Sequence, residues 1–124
     1  MEERDEGGVL VLKPFFKRID AYTSASFKGE VADRIMNGAR RIVLNLERVD
    51  FIDSTGLGAL ISLLKTIGEL GDFMICNIRP PVTSLFKVTR MDRVFRIHAS
   101  EEEALRAMSE SARQSQIADR TSDG

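Results

Sequence analysis

The segment Asp53-Ser54-Thr55-Gly56-Leu57-Gly58 places a carboxylate, two hydroxyls and two glycines just ahead of an apolar helical run. If a helix begins there, its first N–H groups have no intrahelical partner and its dipole favours negative charge. A phosphate on Ser54 or Thr55 is tolerated at such a place. Gly56 and Gly58 would let another protein's backbone approach closely, or let the helix pack tightly on a sheet. The plainer chemistry of the same residues is capping, in which Asp53 or Ser54 caps the helix and the glycines only turn and pack. Residue types alone favour the plainer one.

Other reactive side chains are few. His98 is the only histidine, and it ends a short alternating run, where a surface or hydrogen-bonded imidazole is commoner than a base or metal ligand. The single cysteine, Cys76, lies inside the apolar run Phe73-Met74-Ile75-Cys76, so a buried, reduced thiol is expected. No His or Cys pair has metal-binding spacing, and no cofactor is implied. An enzyme using Ser54, Thr55 or Asp53 as nucleophile would need a base within reach, and only His98 offers an imidazole. The cations Arg79, Lys87, Arg90, Arg93 and Arg96 cluster around one stretch and would either steer an acidic partner or form a solvated face.

These residues need elements to hold them. Val9-Leu10-Val11-Leu12 reads as a strand buried on both faces. Pro14 cannot donate to a sheet ladder, so Phe15 to Ile19 either continues that strand past a bulge or forms an edge piece. Asp20 is placed to cap a helix carrying Phe27, Val31 and Ile35 at spacings of four, with Asn37-Gly38 as its stop. Ile42 to Leu46 is a second strand, and Glu47 to Asp53 is its connection to a helix from Ser54 to about Gly68 or Gly71. Phe73 to Cys76 is a third strand. Pro80-Pro81 opens a short helix, the second proline suiting its first position, with Val82, Leu85 and Phe86 inward. Val94 to His98 alternates like an edge strand, and Ser100 with Glu103 forms a capping box for a last helix bearing Ala104, Leu105 and Met108. That helix is expected to fade near Ser111.

Alternating strands and helices specify an α/β fold with a mostly parallel sheet, in which sites gather on loops at the carboxyl ends of the strands. The 124 residues divide into a short acidic lead-in (1–7), one domain (8–111) and a flexible polar tail (112–124). Eighteen Lys and Arg against nineteen Asp and Glu leave a net charge of −1, too weak a field for a general binder of nucleic acid or anionic lipid. The start of the chain is acidic where a secretory signal would be basic and then apolar, and no stretch approaches the roughly 18 apolar residues of a membrane span. A cytoplasmic protein is expected.

The run Val49-Asp50-Phe51-Ile52-Asp53-Ser54-Thr55-Gly56-Leu57-Gly58-Ala59-Leu60 closely resembles the signature of STAS domains of the anti-sigma-factor antagonist family. Ile19-Asp20 is similar to the family's Leu-Asp before its first helix, Ile42 to Leu46 to its central strand, and Ser100 to Leu105 to its closing helix start. The resemblance covers residues 8 to 108. It implies a STAS fold with a mixed, mostly parallel sheet of four to five strands and about four helices.

In that family the Ser or Thr before the glycine, here Thr55 and less readily Ser54, is phosphorylated by an anti-sigma kinase of the histidine-kinase-like ATPase type. A metal-dependent serine phosphatase removes the phosphate. The resemblance therefore implies a non-catalytic phosphoprotein that binds its kinase through Asp20, Asp53, Ser54, Thr55, Gly56, Leu57 and Gly58, and releases it when phosphorylated. The alternative is a scaffold or transporter-accessory STAS subunit that assembles without phosphoregulation. A homodimer through a sheet edge or the apolar helix face stays open. Three positions depart from the pattern: Thr55 stands for the commoner Ser, Asn45 for a frequent Asp, and Lys17 for a Gly. With so few residues before Gly7, the family's extra N-terminal strand is expected to be missing or very short.

Overall fold

The computed structural model of the protein describes the backbone of residues 1–122 and side chains as far as Ser111. Its centre is a five-stranded sheet in the order β1-β2-β4-β6-β7, formed by Glu2–Glu6, Val9–Lys13, Arg41–Asn45, Asp72–Cys76 and Arg96–His98. All neighbours are parallel except β1 and β2, which form an antiparallel hairpin. A separate parallel pair joins β3 (Arg18–Ile19) to β5 (Phe51–Ile52). Four helices, α1 (Ser24–Met36), α2 (Ser54–Ile67), α3 (Pro80–Val88) and α4 (Glu101–Ser122), complete the α/β architecture, and the mixed, mostly parallel sheet is the one the resemblance implied.

Strand alternation divides the interior in two. Leu12, Ile42, Leu44, Phe73 and Ile75 face a large core with Phe27 and Val31 of α1, Leu60 and Leu63 of α2, and Val82 and Phe86 of α3. Val9, Val11, Val43, Met74 and Cys76 face the other way and pack on Ala104 and Met108 of α4. Asn45, which interrupts the second face of its strand, is 2% exposed and fully used: its amide donates to Glu101 and its Oδ1 accepts the Glu47 N–H at 2.9 Å. A buried amide satisfied at both ends fixes the entry of α4 over the sheet.

Several expectations need correction. The acidic lead-in is a five-residue strand, β1, whose residues are all exposed. Gly7 and Gly8, with φ of +61° and +88°, make the two-residue hairpin turn that L-residues adopt poorly, and ion pairs of Glu2 with Arg48, Glu3 with Arg34 and Arg4 with Glu101 fasten the strand down. Phe51-Ile52, read as connection, pairs with Arg18-Ile19 as a strand, so the Phe15 to Ile19 segment neither continues β2 nor joins the main sheet. Asp20 does not cap α1; Thr23 occupies the N-cap position, while the Asp20 carboxylate accepts the N–H groups of Tyr22 and Thr23 in the turn before it. Pro80 rather than Pro81 starts α3, and Leu85 is only half-buried. The last helix continues to Ser122 instead of fading near Ser111, while the expected flexibility of 112–124 falls on residues whose side chains lie outside those described.

Candidate functional site

Asp53 is the point at which the site is assembled. It is the N-cap of α2 with extended backbone, and its Oδ1 accepts the Gly56 N–H at 2.9 Å, which satisfies one of the orphan donors of the helix start. Its other oxygen, Oδ2, accepts the Ala21 N–H at 3.2 Å, from the loop between β3 and α1. Its backbone N–H donates to the Ile19 carbonyl at 3.3 Å. One residue thus ties the first turn of α2 to the β3–α1 loop, and of the two capping candidates it is Asp53, not Ser54, that caps.

Gly56 completes the junction. A Cβ built there would lie 2.0 Å from the Ile19 carbonyl oxygen, so no other residue fits without moving backbone. Leu57 is buried in the main core with Leu60 and Leu63. Gly56 and Leu57, expected among the partner-binding residues, are therefore turned into the body, since the helix must bury this stripe to pack on the sheet. Ser54, Thr55 and Gly58 lie on the exposed side. At Gly58 an added Cβ would meet nothing within 4 Å, so that glycine leaves the surface flat without being needed for packing.

Thr55 is the second residue of α2, exposed, with the carboxylate of Asp53 two residues before it. Asp20 lies on the loop that Asp53 holds, with its side chain 16% exposed and Arg18 Nε at 3.4 Å. Partial burial pushes the Asp20 carboxyl up, but the N–H groups of Tyr22 and Thr23 and the Arg18 guanidinium outweigh this and hold it below its ordinary value, keeping it anionic. Thr23 locks the loop further, its hydroxyl donating to the Arg18 carbonyl at 2.7 Å and accepting the Asp20 N–H at 3.0 Å.

Residue types alone missed the apolar rim of this surface. Tyr22, on the pinned loop, is 95% exposed, and Phe51 is exposed under the Arg18 guanidinium, 4.0 Å from its ring centroid. The available signal was an aromatic within two residues of an acidic loop residue, in Asp20-Ala21-Tyr22 and Asp50-Phe51. A rigid backbone carrying an exposed aromatic, two carboxylates and an exposed hydroxyl suits recognition by another protein.

The other candidates lie elsewhere. His98 ends β7, half-buried, with no second imidazole to work with. Cys76 is fully buried, and burial, then the negative fields of Glu101 and Glu47, push its thiol up to about 12. Such a thiol is inert. Among the described residues, no three His, Cys, Asp or Glu side chains gather as a metal site, and no helix is long and apolar enough to cross a membrane. Of the basic set, all five residues are exposed; Arg96 pairs with Asp72 at 3.5 Å, and Arg79 is separated from the others at the opposite end of α3.

The STAS domain family matches this chain over residues 2–104. The anti-sigma F factor antagonist of Paenibacillus polymyxa is 29% identical over 107 residues, covering 85% of this chain and 91% of that protein. An anti-sigma-factor antagonist (STAS) domain protein from Planctomyces limnophilus superposes with a TM-score of 0.75 at 25% identity, over 86% of this chain and 95% of that one. The Bacillus cell fate determinant SpoIIAA in its phosphorylated form shares the fold, with a TM-score of 0.63 and 22% identity over 86% of this chain and 96% of that one.

Proposed function

The chain belongs to the STAS domain family, and from that premise we propose that it is an anti-sigma-factor antagonist acting as a partner-switching phosphoprotein controlled at Thr55. The family's anti-sigma antagonists are regulators rather than enzymes, so the chemistry here is received rather than performed. The observation that carries the proposal is the exposed Thr55 on the first turn of α2, whose backbone the Asp53 clamp fixes against the β3–α1 loop.

In the unmodified state, the loop from Asp20 to Tyr22 and the exposed side of the first α2 turn meet an anti-sigma kinase with a histidine-kinase-like ATPase fold. Docking occupies the kinase and frees the factor it sequesters. In the transfer step the Thr55 hydroxyl oxygen bonds to the γ-phosphorus of the kinase's ATP, the bond to ADP breaks, and the hydroxyl proton passes to a base on the kinase. The product carries about −1.5 to −2 charges. That charge lies two residues from the Asp53 carboxylate, which holds the loop carrying Asp20, and a contact surface closing over it would bury like-charged groups together. The complex then dissociates. A metal-dependent serine phosphatase restores the hydroxyl.

The test is phosphopeptide mapping of the protein recovered from its native cells in growth and under stress, alongside Thr55→Ala. One phosphoryl group on Thr55 that varies with condition, and loss of a kinase partner in Thr55→Glu, is the expected result. An unmodified Thr55 in every condition, with the same partners kept by Thr55→Glu, would sink the proposal.

A further inference from the structure

At the same end of the sheet, a second surface feature is unconnected with phosphate. An open groove of about 460 Å³ is lined by Phe15 and Lys17 from the β2–β3 connection, Glu47 and Arg48 from the β4–β5 connection, and Arg79 at the start of α3. We infer that this groove is a docking site for an acidic, carboxylate-bearing segment of the protein's partner.

The charges point to that occupant. Glu47 is the one carboxylate in the lining, and Lys13 Nζ neutralises it at 2.5 Å. Two of the three lining cations are left unpaired. Lys17 and Arg79 are exposed and, among the described residues, engage in no ion pair within 4.0 Å. Arg48 is only partly used: its Nη2 reaches Glu2 at 2.6 Å, while its Nη1 is buried and has no hydrogen-bond partner. Lys17 and Arg79 are therefore the groups an arriving Glu or Asp would pair with, the Arg79 guanidinium offering a planar fork of donors matched to a carboxylate.

The groove also has an apolar anchor. The Arg48 guanidinium lies 5.0 Å from the centroid of the Phe15 ring, which is 58% exposed. Arginine on an exposed aromatic is a common composition at the centre of protein interfaces. A segment that alternates acidic and apolar residues would fit both parts. The overall charge of −1 gives no general attraction for anions, so such binding is a property of this groove and not of the molecule's field. Asp50, exposed on the same connection, sets a limit on where an acidic side chain can lie.

The groove and the Thr55 site share a backbone frame. The Lys17 carbonyl accepts the Asp50 N–H at 2.8 Å, and the next pair in register, Arg18 with Phe51, leads directly into Asp53 and α2. The groove lining is thus joined to the start of α2 through one strand pair. The inference rests on the proposed function only for the identity of the protein that carries the acidic segment.

The two are tested separately. For the groove, the probe is a synthetic acidic peptide of sequence Glu-Leu-Glu-Asp-Leu-Glu titrated into the ¹⁵N-labelled full chain. Amide shifts confined to residues 15–18, 47–50 and 79 are expected, weakening steeply with salt, and vanishing in a Lys17→Glu/Arg79→Glu variant whose remaining spectrum shows it folded. No shifts, or shifts centred on Lys87, Arg90 and Arg93, would overturn the groove whatever happens at Thr55. With the kinase recovered from native cells, the double variant should weaken binding about tenfold and flatten its salt dependence, with Thr55 phosphorylation sites unchanged. An unchanged affinity in that variant would refute the groove's role while leaving the switch standing; failure of the wild-type chain to bind any kinase would remove the switch.

Discussion

At Gly56 the first turn of α2 rests directly on the Ile19 carbonyl, and the neighbouring glycine two residues on rests on nothing. Gly56→Ala should therefore cost about 2 kcal/mol or more, as backbone overpacking does, while Gly58→Ala should be neutral or stabilise by about 0.5–1 kcal/mol by removing a glycine from a helix. Urea denaturation of the two variants decides it, and equal effects would contradict the geometry. Asp53→Ala removes the cap and the bond to Ala21 together. A loss of about 1 kcal/mol is expected, with faster hydrogen exchange at the Gly56 and Ala21 amides and no change at those of α3. If only Gly56 speeds up, Asp53 is a cap and not a clamp.

At the scale of elements, the features legible in the sequence are those the core dictates. The stripe from Leu57 to Ile67 marked α2, and the strands Ile42 to Leu46 and Phe73 to Cys76 were legible as largely apolar runs, because their side chains must be buried. The motif at Asp53 was legible as capping chemistry, and its partner across the loop was not, because Ala21 contributes only a backbone N–H. β1 escaped for a related reason. It has no apolar residue to show a period, and it is held by a hairpin turn and by ion pairs formed with residues distant in the chain. β3 and β5, two residues each, are too short to carry a pattern.

The ties of β1 and α4 give the fold an acid limit. Burial pushes the Glu101 carboxyl up, but its hydrogen bonds to Arg4 and Asn45 draw it below its ordinary 4.5, and Arg48 does the same for Glu2. Groups lowered on folding stabilise above their ordinary values and lose that contribution as pH falls through the lowered ones. Stability should accordingly be flat from neutrality to about pH 5 and fall below pH 4.5, the ordinary value of both groups. Urea midpoints across that range test this, and Glu101→Gln should show a shallower fall; an identical slope would exclude Glu101 as a cause.

For the molecule as a whole, Thr55, the pinned Tyr22 loop and the Phe15–Arg79 groove all lie at the carboxyl ends of the strands, over a core that none of their side chains enters. A phosphate on the exposed Thr55 would change the surface presented to a partner and leave the fold alone. Thr55→Glu should unfold within about 0.5 kcal/mol of the wild type, as exposed substitutions do, with an unaltered circular dichroism spectrum. A large loss of stability would mean that modification acts by unfolding the site.

The hairpin strand β1 has a further consequence, for the contacts the molecule refuses. It lies at the open margin of the sheet, where unpaired N–H and C=O groups are a template on which foreign chains can crystallise into fibrils. Its five residues are all charged, four of them acidic, so a copy of the same strand laid alongside would set anion against anion along its length. The opposite margin, β7, is only three residues long. Both margins of the sheet thus give a foreign strand little to pair with.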